Sequence, residues 1–385
     1  MELSRVAEMN VTCKIVMGPA ALDGLCNAWR SLAAAADCAP FLTWEWMSAW
    51  QARFGGDPFI IKIHRGKDLI GILPLRQARI RIIGLGYTQL GFLGDGPGGA
   101  DRLDLIARRE DQFDAAAASL HFLADEGFDL VRLENLRPGS PTVQLLKNTV
   151  LEGVTHCERD GYTCPQIDLT PGWDEVLARS RRRSNFGRRL RRLKALDGFE
   201  FRSVTSPAEL SAAFDRFLDL HRKRRPGRGS ALSGSSQLVR FHRDVVTRMS
   251  ATGWLRFDEL WCEGACRASI YAFDDGSTFY YYNTGFDTDW ADRSVGLVLI
   301  GLSIRAAADR GGRTYDFLRG DEAYKFDWAN RTERLVNVTV AGNRTAAKMA
   351  FAVGDLGWRL RAMAQNKLPA RLTSFGRRAR ALVRA

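Results

Sequence analysis

The 385-residue sequence predicts an α+β fold in two similar, tandem halves, each a mixed and mostly antiparallel sheet flanked by helices. Three observations carry this expectation. Stretches with strand character alternate with helical ones, and hairpins interrupt the alternation, which favours a mixed sheet over a purely parallel one. The length suits about two domains. A helix–glycine–strand unit also occurs twice, as DEGFDLVRL at 125–133 and DRGGRTYDFL at 309–318, the mark of an internal duplication.

Along the chain, residues 11–17 read as a strand and the Ala-rich 22–36 as a helix. FLTWEWMSAWQARF (41–54) is a helix with an aromatic face. Runs rich in β-formers at 59–64 and 69–75 bracket the polar, Gly-containing turn 65–68 as a hairpin. The Gly-rich stretch 84–99 looks like a phosphate cradle but lacks G-x-G-x-x-G order, so loop glycines are the plainer reading. A helical pattern at 111–126 and an apolar strand at 128–133 close the first half. The second half repeats the order: helix 207–223, a Pro/Gly/Ser-rich segment 224–236, helix 237–250, strands 254–262, 265–273 and 278–283, helix 296–309, and strand 314–318. The expected division is an N-terminal domain at 1–165, a catalytic domain at 166–345 and a basic, amphipathic helical tail at 346–385.

The net charge of +12 is unevenly placed. Residues 179–194 hold nine basic residues and no acid, and 343–385 hold ten against one, so the remainder is net acidic. Basicity this local points to an anionic partner. An acidic acyl carrier protein, an anionic membrane surface and an aminoacyl-tRNA compete for it. Nucleic acid is disfavoured, since Phe186 is the sole aromatic in the first basic run and base stacking has little to use. The tail 368–385, basic with interspersed Leu372, Phe375, Leu382 and Val383, resembles an interfacial helix. Seven scattered cysteines without a C-x-x-C pair imply reduced thiols and no zinc set. Acids at Glu2 and Glu8 argue against a signal peptide, and no apolar run is long enough to span a membrane. The expected location is cytoplasmic, with peripheral contact at the inner face of the membrane.

The segments RSVGLVL (293–299), YDFLRGDEAYKFDWA (315–329), DLHRKR (219–224) and FLTWEWMSAW (41–50) together resemble the CelD-like branch of the GNAT acyltransferases. That branch is similar to the Fem peptidyltransferases in carrying tandem GNAT folds. The resemblance spans about 40 to 340, and DFLRG…YK is its most specific part. It implies an N-acyltransferase with no tightly bound cofactor. The donor is a thioester, acyl-CoA or acyl carrier protein, or else an acyl-tRNA. The implied acceptor is an amine of an envelope precursor: an amino sugar of exopolysaccharide synthesis, or a long-chain base as in ceramide formation. Competing readings are an inactive scaffold for polysaccharide synthesis and a tRNA-dependent aminoacyl transferase.

Amide formation from a thioester needs a deprotonated amine, a donor to the oxyanion and a proton for the leaving thiolate. His221 and Asp316 are the candidate bases. His221 stands beside Arg222-Lys223-Arg224, whose charge favours a neutral ring. The plainer readings are a surface or capping histidine and, for Asp316, a salt bridge with Arg319 or Lys325. A backbone N–H on strand 278–283, where such folds bulge, can meet the oxyanion. Tyr324 is the thiolate's proton donor that the resemblance implies. Arg293, Ser294, Val295 and Gly296 would bind the donor phosphates at a helix start. Arg293 and Gly296 match the GNAT pattern Gln/Arg-x-x-Gly-x-Gly/Ala, whereas Val298 takes the last small position. Tyr282, Arg319, Glu322 and Lys325 are candidates to hold the acceptor, although Glu322 and Lys325 can equally pair with each other. No metal site is expected. The N-terminal half is expected to be non-catalytic, because nothing like Arg293–Gly296 precedes its helix at 111–126.

Overall fold

The computed structural model describes residues 10–367 except 37, 83–84, 127, 149–153, 225–231 and 233. The interfacial helix expected at 368–385, and most of the segment 224–236, lie outside the described residues.

The first half contributes β1 (Val11–Met17), α1 (Cys26–Ala35), α2 (Trp44–Phe54), β2 (Asp57–Arg65), β3 (Asp68–Ile82), β4 (Leu85–Phe92), β5 (Ile106–Ala107), α3 (Gln112–Asp125), β6 (Leu130–Leu136) and α4 (Pro141–Asn148). The second contributes β7 (Thr155–Asp168), α5 (Trp173–Arg179), α6 (Arg183–Lys194), β8 (Glu200–Val204), α7 (Pro207–Arg224), α8 (Ser236–Met249), β9 (Leu255–Cys262), β10 (Ala265–Asp274), β11 (Thr278–Phe286), α9 (Val295–Asp309), β12 (Thr314–Asp316), α10 (Ala323–Phe326), β13 (Arg331–Ala341) and α11 (Thr345–Lys367).

The α+β expectation holds, and the strands join into one mixed sheet ordered β1-β2-β3-β4-β6-β13-β7-β12-β11-β10-β9-β8, with β5 beside β3. The duplication is visible in its two parallel pairings. β4 pairs with β6 over three residues (Gln89–Gly91 with Leu130–Arg132), and β11 pairs with β12 over three (Thr278–Tyr280 with Thr314–Asp316). One helix bridges each pair, α3 in the first half and α9 in the second. Strands β7 and β13 run antiparallel to each other and stitch the halves together, β13 pairing also with β6 and β7 with β12.

Several expected elements are shorter than their sequence patterns: the helix at 41–54 begins at Trp44, after a 3-10 turn. The helix at 22–36 begins only at Cys26, after two single 3-10 turns. The strand at 314–318 ends at Asp316, because the Asp316 carboxylate accepts the Leu318 N–H (2.8 Å) and Leu318 turns to φ 54°. The period-two alternation of a strand therefore stops at Asp316, and Leu318 does not continue it.

The core ignores the boundary between halves. Trp46 of α2 meets Phe241 of α8 edge-on at 5.0 Å, within one buried apolar cluster that reaches from Trp29 to Tyr282. Arg53 and Asp244 pair across the same helix contact. A second cluster lies under α9 and holds Tyr281, whereas Tyr280 belongs to the first and Tyr282 packs against it, so Tyr281 faces opposite to its neighbours.

Candidate active site

Beyond Tyr280, β11 has no partner on its β12 side, and the sheet splays open there. At the same place β11 carries a bulge against β10: Tyr271 opposes Asn283 and Ala272 opposes Tyr281, leaving Tyr282 extra. A bulge beside a splay re-aims side chains and leaves backbone N–H groups unspent. Two cavities open into this gap and share Arg224, Tyr281, Thr284 and Tyr324.

The first cavity, about 260 Å³, lies at the start of α9. Ser294, Val295 and Gly296 line it together with Phe286, Tyr324 and Trp328. Ser294 is the residue before the helix, but it sits at φ 58° and its side chain makes no cap. The first-turn N–H groups are left to an incoming acceptor, and no acid stands in that turn. Arg293 does not line the cavity; its guanidinium stacks over Trp290 and pairs with Glu263 (3.3 Å). The corresponding helix of the first half, α3, is closed to anions. Asp111 and Asp114 occupy its start, both bound to Arg65.

The second cavity, about 470 Å³, is polar. Its walls include His221 and His242, Tyr282, Arg319, Glu322 and Lys325, and the loop 96–99 from the N-terminal half. The structure thus gathers His221, Tyr282, Arg319, Glu322, Lys325 and Tyr324 around one space. His221 is buried near the end of α7 against Phe217 (5.5 Å between rings), not on the surface. The Tyr282 hydroxyl donates to Gly98 O, so His242 Nε2–H donates to Tyr282 Oη (3.2 Å). Burial, with His221 nearby, drives the His242 pKa down to about 3, and the ring is neutral at physiological pH. Burial also raises the Tyr282 phenol above its usual range. Arg319 is held by Asp101 (Nε–Oδ1 3.1 Å) and Ala100 O (3.2 Å), with its guanidinium over Tyr162. Lys325 Nζ binds both Glu322 (3.0 Å) and Arg319 O (2.8 Å), so the Glu322–Lys325 pairing left open by the sequence is formed. Tyr324 Oη lies 3.4 Å from Tyr281 Oη, where the cavities meet.

Asp316 is not brought to either cavity. Its carboxylate is buried and ion-paired to Arg102, accepts from Gln166 Nε2 (3.1 Å) and holds the turn at Leu318. Of its two alternatives the structure forms the salt bridge, but to Arg102 rather than to Arg319 or Lys325. Arg102 also binds Glu333 (2.7 Å). Burial opposes its charge, yet Asp316 overrides this and holds the guanidinium more firmly protonated than usual.

Sequence reasoning found no sign of His242, assigned no site role to Arg224 and read only loop glycines at 96–99, yet all three line the second cavity. His242 was already one of five histidines and sat in a correctly placed helix. Nothing in its spacing signals a partner 40 residues away at Tyr282. Among the described residues there is no metal-binding group of His, Cys, Asp or Glu, and no helix is long and apolar enough to cross a membrane.

Residues 180–326 match the acetyltransferase (GNAT) domain family. The chain superposes on FemX at a TM-score of 0.59, with 12% identity, covering 84% of this chain and 97% of that one. It is also similar to the C-terminal DUF2156 domain of an Agrobacterium fabrum protein named as a lysylphosphatidylglycerol synthetase (TM-score 0.52, 12% identity, 87% and 96% covered). A conserved protein from Bacteroides thetaiotaomicron shares the fold at a TM-score of 0.51, with 10% identity, 86% and 100% covered. No curated protein matches the chain. At such identities the likeness to solved structures is one of fold. Residues 180–326 are therefore similar to the GNAT acetyltransferase domain family, within a fold that the chain shares with FemX over 84% of its length.

Proposed function

We propose that the protein is an N-acyltransferase of the CelD-like kind that moves an acyl group from a thioester, acyl-CoA or acyl carrier protein, to the amine of an envelope precursor. The observation that carries this is the splay of β11 from β12, which joins an uncapped helix start to a polar cavity holding two histidines. The donor phosphates lie at the Ser294–Gly296 start of α9, and its pantetheine arm follows the apolar walls of the first cavity. The amine enters the second cavity. His221 takes the ammonium proton, because a His242 pKa near 3 makes that ring a poor base near neutrality. The amine attacks the thioester carbonyl, and a backbone N–H beside the Tyr282 bulge meets the oxyanion. As the C–S bond breaks, Tyr324 protonates the thiolate and its phenolate recovers the surplus proton of the new amide nitrogen, while His221 passes the first proton to solvent. Arg319, Tyr282, Glu322 and Lys325 hold the acceptor. Asp316 acts by positioning, since its carboxylate is committed to Arg102. The polar second cavity supports an amino sugar over a long-chain base, and catalysis is assigned to the domain at 166–345.

The test is thiol release from short- and long-chain acyl-CoAs and from acyl carrier protein, against amino sugars and sphingoid amines. Amine-dependent release is expected, with His221→Gln and Tyr324→Phe each losing about 100-fold or more in kcat. Absence of release with every donor would leave the scaffold reading standing.

A further inference from the structure

We infer that the outward face of α6 is a docking surface for a small acidic carrier protein that delivers the acyl group as a phosphopantetheine thioester; this deepens the thioester reading above and rests on it. Helix α6 is amphipathic in an uncommon way. Its apolar residues Phe186 and Leu193 are buried, with Leu190 packed beside them, all in the cluster under α9. The approach is close: a Cβ at Gly301 of α9 would fall 2.3 Å from the Phe186 ring. What faces outward is almost wholly cationic.

Arg181, Arg183, Arg188, Arg191, Arg192 and Lys194 are exposed, and none makes an ion pair among the described residues. Their neighbours show that the fold pairs charges where it needs to. Arg182 is matched by Asp327, and Arg189 donates to Asp292 O (2.6 Å) in the turn before α9. Those two contacts also place the helix, because Arg182 lines the first cavity and Asp292 lies in the 3-10 turn that leads into α9. The unpaired cations therefore begin at the mouth through which the thioester arm must enter.

Size and chemistry choose the occupant. Twelve helical residues extend about 18 Å. The phosphates of a free nucleotide gather at one helix start, whereas charge spread over such a length matches an acidic protein surface. A lipid surface calls for apolar side chains on the exposed face, and those of α6 are turned inward. Nucleic acid calls for exposed aromatic rings to stack on, and this face has none.

The test reads binding without turnover, by fluorescence anisotropy of a labelled, purified acyl carrier protein bearing a non-hydrolysable acyl-pantetheine amide. The same acyl-pantetheine amide without the protein serves as the small-molecule control. The charge-reversed variant Arg188→Glu/Arg191→Glu/Arg192→Glu is expected to weaken carrier-protein binding at least about tenfold, and raised salt to weaken the wild type. The matching Arg→Lys variant should stay within about twofold of wild type, and none of them should change binding of the free amide. Equal carrier-protein binding by wild type and the Glu variant overturns the inference. So does wild-type binding of the free amide but not of the carrier protein, an outcome that leaves the thioester reading intact. Failure of both ligands to bind would sink both readings. Capture by phosphatidylglycerol vesicles that depends on the three arginines, without carrier-protein binding, would assign the face to lipid instead.

Discussion

At the scale of single residues, His242 is a titratable ring held almost wholly out of water. It is 1% exposed, ringed by Phe241, Tyr271 and Tyr282, and its Nδ1 has no partner. The unfolded chain takes up a proton on this ring near the ordinary value of 6.5, and the folded chain only near about 3. Between those values unfolding binds a proton, so stability is complete above about pH 6.5 and falls as pH drops. The slope for one such group approaches 1.4 kcal/mol per pH unit, about what a full proton of uptake gives. Urea unfolding of wild type and His242→Gln between pH 6 and pH 4 isolates it. The wild type should lose stability faster than the variant by about that slope, and parallel curves would remove His242 as the source. The ring's neutrality also bears on the proposed division of labour: a histidine that stays neutral to about pH 3 contacts Tyr282, and the base proposed above is His221.

At the scale of elements, two glycines set the distances on which the site depends. Gly285 of β11 lies against the end of α7, and a Cβ there would fall 2.4 Å from His221 N and 2.8 Å from Leu220 C. Backbone cannot yield as a side-chain tip does. Gly285→Ala is therefore expected to cost about 2–3 kcal/mol and to shift His221, lowering kcat more than donor affinity. Gly301→Ala, pressing on the buried Phe186 ring, should cost about 1–3 kcal/mol and loosen α6. Its signature would be weaker carrier-protein binding with an unchanged His221 pH profile. Thermal unfolding and kcat/KM, measured side by side, separate the two. Many of these elements were legible in sequence, since β2, α3, α7, α8 and α9 follow from apolar period and turn residues within a few residues of their ends, whereas β3 runs on to Ile82, seven residues past its expected end at 75. What stayed hidden was β4, β7, β8 and β13, where no strand was expected, and the pairing of the sheet. That loop 96–99 walls a cavity built mainly from residues 221–325 follows from strand contacts across more than a hundred residues, which local period does not encode. The strand through Asp316 was overextended because a side chain, not the backbone pattern, ends it.

At the scale of the whole molecule, one guanidinium gathers the strands that join the halves. Arg102 comes from a loop of the first half at φ 58°, with its side chain 1% exposed. It binds Asp316 of β12 and Glu333 of β13, while Gln166 of β7 donates to Asp316. Its neighbour Asp101 accepts the Arg319 N–H (3.0 Å) and holds that side chain at the acceptor cavity. Disturbing Arg102 thus loosens the seam of the sheet and one wall of the site together. Removing one partner leaves a buried charge uncompensated, so Arg102→Ala and Asp316→Asn are each expected to cost about 3–5 kcal/mol. The double variant should cost less than the sum by about 1–3 kcal/mol, since the second change removes the group that the first one orphaned. Catalysis supplies the sharper contrast. Asp316 touches neither cavity, so Asp316→Asn, assayed at a temperature where it is folded, should lose less than about tenfold in kcat, and its pH profile should keep the wild-type shape. A loss as deep as that of His221→Gln, with the acidic limb of the profile abolished, would return Asp316 to the chemistry and displace His221 as the base.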